Sequence, residues 1–442
     1  MEHADAAGTE VVTAALADEL AGRFVGHLRE AGHRPGSRIV FLAPNSALLL
    51  ASVAGALRAG YAAIVLSPRL TERERGEMVG DVGPCVVLNA AGLALAQTAG
   101  PVPLDAWWRS RPMHFTSGTS GRPKGVWSGW LDRSAGEALV GEEQAAWGIT
   151  AADRHLVCGP MSHSAPLRFP LVTLAAGGSV LIPPAFEPAT VRGLIETGTA
   201  TTTFMAPTHL MRLLDDAPPD RSSMRMVAHA GSPCPAHVRA RARAAFGDAA
   251  VREFYGSTEG QFTVCTPAEF DARPGTVGRA RPGRQLRVAD DGRIWCRVPQ
   301  HARFEYWGDP DKTRRAWRGA WFTVGDLGRM DPDGYLYLDG RRSDLIITGG
   351  VNVYPAEIER VVLDLPAVRQ AVAFGVDDDD WGQRVCVAVV GDVTVDDVRQ
   401  LCRRQLAPAK RPKTIHVVDA LPLTHSGKVD RVRVPARFGQ QG

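Results

Sequence analysis

A short loop rich in glycine and hydroxyl residues carries the clearest chemistry in the sequence. It reads Phe115-Thr-Ser-Gly-Thr-Ser-Gly-Arg-Pro-Lys-Gly-Val126 and places Lys124 next to a glycine. Glycines let backbone N–H groups approach an anion, hydroxyls add donors, and the ammonium adds a positive charge. A polyphosphate needs this combination, although the spacing differs from that of an ordinary P-loop. The alternative, a flexible Ser/Gly turn, explains the Pro-Lys-Gly ending poorly.

Lysine is rare in this chain, so each lysine draws attention. Five of the 51 basic residues are lysine, and the rest are arginine, a bias typical of GC-rich coding sequence. Lys428 follows Ser426-Gly427, which predicts a flexible loop that delivers an ammonium group. Lys410 and Lys413 lack such a setting, and we interpret both as surface charges.

The composition excludes several classes of protein. The chain has 442 residues, 51 basic and 48 acidic, with a net charge of +3 and no basic footprint for nucleic acid. Seven scattered cysteines without a C-x-x-C pair argue against a disulfide framework and a zinc site and suit a reducing cytoplasm. We expect no signal peptide and no membrane span, because no long uninterrupted apolar run is present.

Short apolar runs alternate with helical patterns over the first 260 residues, which predicts parallel sheets covered by helices. The predicted strands are 38–42, 62–66, 155–158, 179–182, 201–205, 224–229 and 251–254, and the predicted helices are 45–59, 71–79, 167–176, 188–197, 207–215 and 235–246. Ligands collect at the carboxyl ends of such strands. The candidate site loops therefore follow Cys158, Met205, His229 and Phe254.

Residues 270–340 have a different sequence pattern. Turn motifs separate short runs in which apolar and polar residues alternate, which predicts a β-rich subdomain. A second αβ pattern then follows, with strands at 345–348, 369–375 and 384–390 and helices at 355–365 and 395–406. We therefore predict a large N-terminal domain over residues 1–340 and a small C-terminal domain over 341–442.

Five motifs, in order along the chain, resemble those of the adenylate-forming enzymes, the superfamily of acyl-CoA synthetases, peptide-synthetase adenylation domains and luciferases. They are the loop 115–126, Phe254-Tyr-Gly-Ser-Thr-Glu-Gly260, Thr323-Val-Gly-Asp326, the stretch 340–357 and Pro422-Leu-Thr-His-Ser-Gly-Lys428. The flanking segments are most similar to the acyl-CoA ligase branch. The resemblance implies an α/β fold with stacked parallel sheets, a small β-rich subdomain and a mobile small α+β C-terminal domain.

The resemblance also implies which residues bind the nucleotide. They are Thr116, Ser117, Gly118, Thr119, Ser120, Gly121, Lys124, Gly231, Ser232, Tyr255, Gly256, Thr258, Asp326, Arg341 and Lys428. Tyr255 is expected against the adenine, Asp326 and Arg341 at the ribose, and Glu259 with Thr116 at Mg²⁺. If the family resemblance is set aside, the residue types alone indicate a core aromatic at Tyr255, a helix cap at Thr258-Glu259 and a turn residue at Asp326.

Three residues are implied in catalysis: Lys124, Lys428 and His163. An ammonium at Lys428 offsets the repulsion between a carboxylate and the α-phosphate that it attacks. His163 matches the gate residue that borders the acyl pocket and makes way for the thiol, with a satisfied structural histidine as the alternative. The remaining pocket residues implied are Arg168, Gly231, Gly256 and Ser257.

The last implied features belong to the second half-reaction. Gly349 and Gly350 would let the pantetheine of CoA pass close to the backbone, after the small domain rotates about a hinge near 342–344, at Arg342 and Ser343. The family often has Asp or Lys at the position of Ser343, so this serine is a departure.

Three other departures concern the substrate. The phosphate loop begins about 40–60 residues earlier than in relatives, which indicates a trimmed N-terminal subdomain and hints at a specialised biosynthetic enzyme. Ser162 replaces an aromatic neighbour of His163. Arg168 stands beside the expected acyl pocket, where it either faces an acidic or polar substrate group or extends outward to solvent.

Three functions remain open from the sequence. The first is an acid–thiol ligase that uses ATP, Mg²⁺ and CoA on a small-molecule acid in the cytoplasm. The second keeps adenylation but uses another acceptor: a carrier-protein thiol, an amine, or activated nitrite in the diazotisation of an aryl amine. The third is a homologue without turnover, against which the intact Lys124, Glu259, Asp326 and Lys428 argue.

Overall fold

The computed structural model describes residues 8–116, 123–216, 218–219, 222–341, 344–424 and 429–439. Its first part is a three-stranded parallel sheet in the order β3-β2-β4. Four helices accompany it, and the element order is β1 (Glu10–Thr13), α1 (Ala14–Glu30), β2 (Arg38–Leu42), α2 (Ala47–Ala59), β3 (Ala62–Val65), α3 (Glu72–Val82), β4 (Val86–Asn89) and α4 (Ala90–Ala96). The predicted strands and helices of this part are confirmed.

A hairpin and a six-stranded sheet follow. The hairpin is β5 (His114–Thr116) and β6 (Lys124–Trp127), and the sheet has the order β1-β8-β7-β9-β10-β11, with β1 antiparallel to β8 and the other strands parallel. The elements are α5 (Arg133–Trp147), β7 (Arg154–Val157), α6 (Ser164–Ala175), β8 (Ser179–Ile182), α7 (Pro188–Glu196), β9 (Thr202–Met205), α8 (Pro207–Asp216), β10 (Met226–His229), α9 (Ala236–Phe246) and β11 (Val251–Glu253).

The two parallel sheets share one hydrophobic core. Phe41 of β2, Leu50 of α2 and Phe169 of α6 belong to the same buried cluster as Phe204 of β9. Most residues of β2, β3, β7, β8, β9 and β10 are buried, as expected for strands covered on both faces. The predicted stack of parallel α/β sheets is confirmed, and the carboxyl ends of β7, β9, β10 and β11 lie along one edge.

Four of these helices differ from the sequence prediction: α1, α4 and α5 are not predicted, and α6 begins earlier than predicted. Helix α5 is not predicted, because Gly136 and Gly141 interrupt its helical pattern. Gly136 is required there, since a Cβ atom would lie 2.2 Å from the carbonyl oxygen of Trp108. Helix α6 begins at Ser164 rather than at residue 167, because Pro166 lies in its first turn, where no N–H is needed.

The next part consists of short antiparallel strands with two small helices. The elements are β12 (Thr263–Val264), α10 (Pro267–Ala272), β13 (Arg279–Ala280), β14 (Gln285–Val288), β15 (Ile294–Arg297), β16 (Glu305–Tyr306), α11 (Pro310–Ala316), β17 (Trp317–Arg318), β18 (Trp321–Phe322), β19 (Asp326–Met330) and β20 (Leu336–Arg341). One of these strands, β16, joins β6 and β5 to form a three-stranded sheet. A separate aromatic core holds this β-rich part together.

The C-terminal part is a five-stranded sheet with three helices. Its elements are β21 (Ile346–Thr348), β22 (Val351–Val353), α12 (Pro355–Leu363), β23 (Val368–Asp378), β24 (Gly382–Gly391), α13 (Val395–Gln405), β25 (Thr414–Val417) and α14 (Arg433–Phe438). It has its own hydrophobic clusters. The domain limits at 340/341 and the hinge remain predictions, and Arg342 and Ser343 lie outside the described residues.

No helix within the described ranges is long and apolar enough to cross a bilayer. All seven cysteines are free, and six of them are buried.

Buried neutral histidines should make the protein sensitive to acid. His155 of β7 contacts the Thr202 hydroxyl at 3.0 Å and stacks on Phe169, and burial lowers its pKa to about 3. The unfolded chain takes up this proton near pH 6.5 and the folded chain does not, so stability falls as pH drops below about 6.5. We expect the free energy of unfolding, measured in urea, to depend less steeply on pH in His155→Gln, by up to about 1.4 kcal/mol per pH unit. Parallel pH profiles of the two proteins would contradict the prediction.

Candidate active site

The phosphate loop is carried by the hairpin of β5 and β6. Thr116 and Lys124 face each other in register at its open end, and the Thr116 hydroxyl donates to the Lys124 carbonyl oxygen at 3.4 Å. The pairing fixes both ends of the loop. Its middle, with Ser117, Gly118, Thr119, Ser120 and Gly121, lies outside the described residues.

Lys124 is paired with an acidic residue from the β-rich part. Its Nζ lies 3.8 Å from Oδ2 of Asp309, the N-cap of α11. The other oxygen of Asp309 accepts a hydrogen bond from the backbone N–H of Lys312 at 2.9 Å. This N–H, with Lys124, lowers the pKa of Asp309, so the carboxylate is charged between two lysines.

Lys312 is a second cation beside the loop, and the sequence analysis did not include it in the site. Its Nζ lies 4.0 Å from the centroid of the Tyr306 ring, a cation–π contact. Burial lowers the pKa of Lys312, and the nearby charge of Lys124 lowers it further. Lysine is rare in this chain, and that rarity is the signal that could have drawn attention to Lys312.

Glu259 lies at the same place on a tight turn. Gly256 pairs with Gln261, and the Ser257 N–H donates to the Gly260 carbonyl at 2.8 Å, so residues 256–261 form a small hairpin. Glycine is required at 256, because a Cβ atom would lie 2.8 Å from the Gly260 carbonyl oxygen. Glu259 is 6% exposed and accepts a hydrogen bond from the Tyr306 hydroxyl at 2.8 Å.

The residues present fit a Mg²⁺ ion bound together with phosphates. Mg²⁺ takes one or two carboxylates and completes its shell with phosphate oxygens and water. Glu259 is a buried carboxylate beside the loop that ends on Lys124, while Thr116 stands at the loop's other end. Within the described residues, no group of three or more His, Cys, Asp or Glu side chains forms an all-protein cage.

Tyr255 begins the same turn and joins a second acidic residue. Its hydroxyl donates to Oδ2 of Asp326 at 2.5 Å, and the two side chains are 9% and 7% exposed. Its ring packs on Phe262 in the core of the β-rich part, so the core interpretation of Tyr255 also applies. The backbones of Asp326 in β19 and Arg341 at the end of β20 pair in register. This pairing brings together the two residues that are predicted to bind the ribose.

His163 is the N-cap of α6 and lies beside a buried histidine. The Ser162 carbonyl contacts Nδ1 of His114 in β5 at 3.0 Å, so the start of α6 touches the strand that leads into the phosphate loop. Burial lowers the pKa of His114 to about 3, and the neighbouring His163 and Arg168 also lower it. Gly231 lies two residues after the end of β10 at His229 and has a φ of 101°. The Phe254 N–H donates to the His229 carbonyl oxygen, so Gly231 lies beside the start of the turn at Tyr255.

The predicted CoA glycines belong to the C-terminal sheet. Gly349 and Gly350 join β21 to β22 with φ angles of 55° and 77°. Gly349 N–H donates to the Trp381 carbonyl at 2.8 Å, and a Cβ atom at Gly349 would lie 2.8 Å from the Trp381 ring. Lys413 is exposed, as predicted, with its Nζ 3.0 Å from the Trp381 ring centroid.

Lys410 is less exposed than predicted. Its Nζ lies 2.8 Å from a carboxylate oxygen of Glu357, and its side chain is only partly accessible. This ion pair belongs to the C-terminal part, so Lys410 is a paired residue and not an isolated surface charge.

Sequence comparison places the chain among known proteins. The AMP-binding enzyme family matches residues 4–111 and 112–301, and the AMP-binding enzyme C-terminal domain matches 357–428. The chain belongs to the AMP-binding enzyme family. A feruloyl-CoA synthase from Amycolatopsis sp is 32% identical over 480 residues, covering 98% of this chain and 95% of that protein.

Two solved structures of family members are also similar. O-succinylbenzoate coenzyme A synthetase (MenE) from Bacillus subtilis, in complex with ATP and magnesium, has a TM-score of 0.83 and 25% identity, covering 95% of this chain and 94% of that one. The amide bond synthetase McbA from Marinactinospora thermotolerans has a TM-score of 0.82 and 27% identity, covering 96% and 94%. The predicted fold and the predicted AMP-forming ligase class, with ATP, Mg²⁺ and CoA, are confirmed.

The individual site residues of this family member remain predictions. The structure pairs Thr116 with Lys124, places Glu259 and Lys124 near the charge of Lys312, and joins Tyr255 to Asp326. The described contacts of Gly349 and Gly350 lie within the C-terminal part. Lys428 and the hinge residues lie outside the described residues, and nothing is described for the side chain of Arg341.

The bond from Tyr306 to Glu259 can be tested directly. Tyr306→Phe removes the hydroxyl that positions the Glu259 carboxylate. The lost hydrogen bond contributes about 1 kcal/mol, so we expect the Mg²⁺ concentration needed for half-maximal ATP binding to rise about fivefold. Calorimetric titration of ATP at graded Mg²⁺ measures it. Tyr335→Phe is the matched control, because its hydroxyl contacts Glu269 at 3.4 Å instead. Equal Mg²⁺ dependence in both variants would contradict the assignment.

Proposed function

We propose that this protein activates a small carboxylic acid with ATP as an acyl-adenylate and then transfers the acyl group to the thiol of CoA. One observation carries the proposal. The turn 255–261 holds Tyr255 against Asp326 at one end and Glu259 beside Lys124 and Lys312 at the other. A nucleoside and its phosphates can therefore bind along a single turn, with the adenosine end at Asp326 and the phosphate end at Lys124.

The phosphate end is suited to a leaving pyrophosphate. In the first reaction, a carboxylate oxygen forms a bond to the α-phosphorus, and the bond from that phosphorus to the bridging oxygen breaks. Lys124 and Lys312 place two positive charges where the departing pyrophosphate gains charge. A Mg²⁺ ion at Glu259 would neutralise phosphate oxygens. Lys428, by its resemblance to the family motif, would bridge the carboxylate and the α-phosphate.

The second half-reaction needs access for a thiol. In our proposal, the C-terminal domain turns about Arg342 and Ser343, and Gly349 and Gly350 then border the pantetheine. The thiol attacks the acyl carbonyl and AMP leaves. The start of α6 at His163 borders the acyl group, because its neighbour Ser162 contacts His114 on the strand that leads into the phosphate loop. Seven free cysteines support a reducing, cytoplasmic setting.

An amine acceptor is the second candidate. The 27% identity to an amide bond synthetase over 96% of the chain favours it over the other acceptors, a carrier-protein thiol or activated nitrite. All of these alternatives share the first reaction and differ only in what removes the adenylate.

A substrate panel tests the proposal. The enzyme is incubated with ATP, Mg²⁺, an acid panel and either CoA, an amine panel or no acceptor, and AMP, pyrophosphate and product mass are measured. We expect AMP release that depends on the acid and rises with CoA. Lys428→Ala serves as the control and should lose adenylate formation while still using a synthetic acyl-adenylate. AMP release with nitrite but with no acid would contradict the ligase function, and an amide product would establish the second candidate.

Lys312 provides a separate test of the phosphate end. We expect Lys312→Met to weaken the binding of ATP and of pyrophosphate about tenfold each, the effect of losing one charge-assisted contact, with AMP binding little changed. Calorimetry measures the three dissociation constants. Arg314→Met is the matched control, since Arg314 is an exposed cation on the same helix. An equal loss of AMP affinity would show that Lys312 does not act on the phosphates that leave.

A further inference from the structure

Arg168 lies next to the acyl side of the proposed site. It stands in the second turn of α6, five residues after the His163 N-cap. An α-helix rises about 1.5 Å per residue, so its Cα lies about 7.5 Å further along the axis. The charge of Arg168 reaches His114, the residue that contacts the Ser162 carbonyl at the start of α6. The position fits a side chain that faces the far part of a bound acid.

The guanidinium of Arg168 is buried and poorly satisfied. The side chain is 19% exposed, so it does not extend outward to solvent. Its Nε and Nη2 atoms are buried without a hydrogen-bond partner. The Glu143 carboxylate lies 3.3 Å from Nε, but it does not have the geometry of a hydrogen bond. A buried guanidinium in this state is costly, since buried charges are normally both paired and hydrogen-bonded.

The carboxylates near Arg168 are shared with other arginines. Arg281, 1% exposed, donates to Glu143 at 2.8 Å and to Glu142 at 3.0 Å. Arg284 binds Glu142 at 2.6 Å, and His301 contacts the other oxygen of Glu142, also at 2.6 Å. Arg281 uses Oε1 of Glu143, so Oε2, which accepts no hydrogen bond, is left for Arg168 at 3.3 Å from its Nε.

A fourth arginine adds to the positive charge. Arg111 is buried and donates to two backbone carbonyls at 3.3 Å, those of Glu259 and Arg303, while its Nε has no partner. Its charge acts on Arg168 and Arg284. Four guanidinium groups thus stand against three carboxylates, Glu142, Glu143 and Glu259, and the cluster has an excess of positive charge next to the acyl side of the site.

We propose that the acid substrate carries a second carboxylate, which Arg168 binds while the first carboxylate reacts with ATP. The inference rests on the proposed function and adds its substrate class, a dicarboxylic acid. A carboxylate accepts two parallel hydrogen bonds from a guanidinium, and both Nε, which faces Glu143 at 3.3 Å, and Nη2 of Arg168 lack a hydrogen-bond partner. Binding would also offset the excess positive charge.

Matched acids test the proposal. Straight-chain and aromatic dicarboxylic acids of graded length are each compared with their monomethyl esters, and kcat/KM is measured by AMP release. We expect the wild-type enzyme to favour the diacid of the best pair by about 10- to 100-fold, the effect of a hydrogen-bonded charge pair. Arg168→Met should remove this preference through a loss on the diacid alone, and Arg168→Lys should retain part of it.

Thermal unfolding separates recognition from a structural role. Arg168→Met should lose stability, because Glu143 loses the charge that faces its Oε2, and it should lose the preference for the diacid as well. Arg225→Met is the control: Arg225 donates to Asp153 at 2.6 Å before the first residue of β10, at the opposite end of the strands from the site. That variant should lose stability and keep the preference for the diacid.

Five results would overturn the inference. A wild-type preference for the esters would contradict a second carboxylate. Equal losses on diacid and ester in Arg168→Met would mean that Arg168 holds the reacting carboxylate. Lost stability with an unchanged preference would establish a structural ion pair. If no acid leads to AMP release, the proposed function is contradicted as well. If AMP is released only with acids that lack a second carboxylate, this inference alone is contradicted.

Discussion

The short pairing of β16 with β6 is the interaction on which the site depends. It joins Tyr306 to Val126 in register, and it therefore sets the β-rich part against the hairpin of the phosphate loop. Asp309 and Lys312 follow directly after β16 and come to lie beside Lys124 because of it. Two residue pairs of backbone contact thus decide where a carboxylate and a second ammonium stand relative to the loop.

Much of the parallel sheet structure could be predicted, for a plain physical reason. A strand covered on both faces is a continuous apolar run, as in Ala62–Val65, and it is visible without any knowledge of its partners. The residues at the carboxyl ends of such strands follow from the same pattern. The loops after His229 and Phe254 were found in this way, and the family resemblance then selected Gly231 and Tyr255 within them.

The rest of the site depends on contacts between distant residues. Tyr306 lies in a strand of two residues, too short to give a pattern, and its role appears only when its hydroxyl meets Glu259. Glu142 and Glu143 lie on a helix that two glycines conceal, so the charge cluster around Arg281 was invisible in the sequence. Arg168 was noticed, but its burial could not be known, because an arginine beside a pocket can equally extend to solvent.

The scarcity of lysine has a practical consequence. An amine-directed reagent meets only five lysine side chains in the 442 residues, and Lys124 and Lys312 stand together beside the phosphate loop. On most proteins of this size such a label is spread over a crowded background. Here the extent of labelling at Lys124 and Lys312 would report how much of the protein has nucleotide bound. Labelling at Lys413, which is exposed in the C-terminal part, is the internal reference in the same molecule.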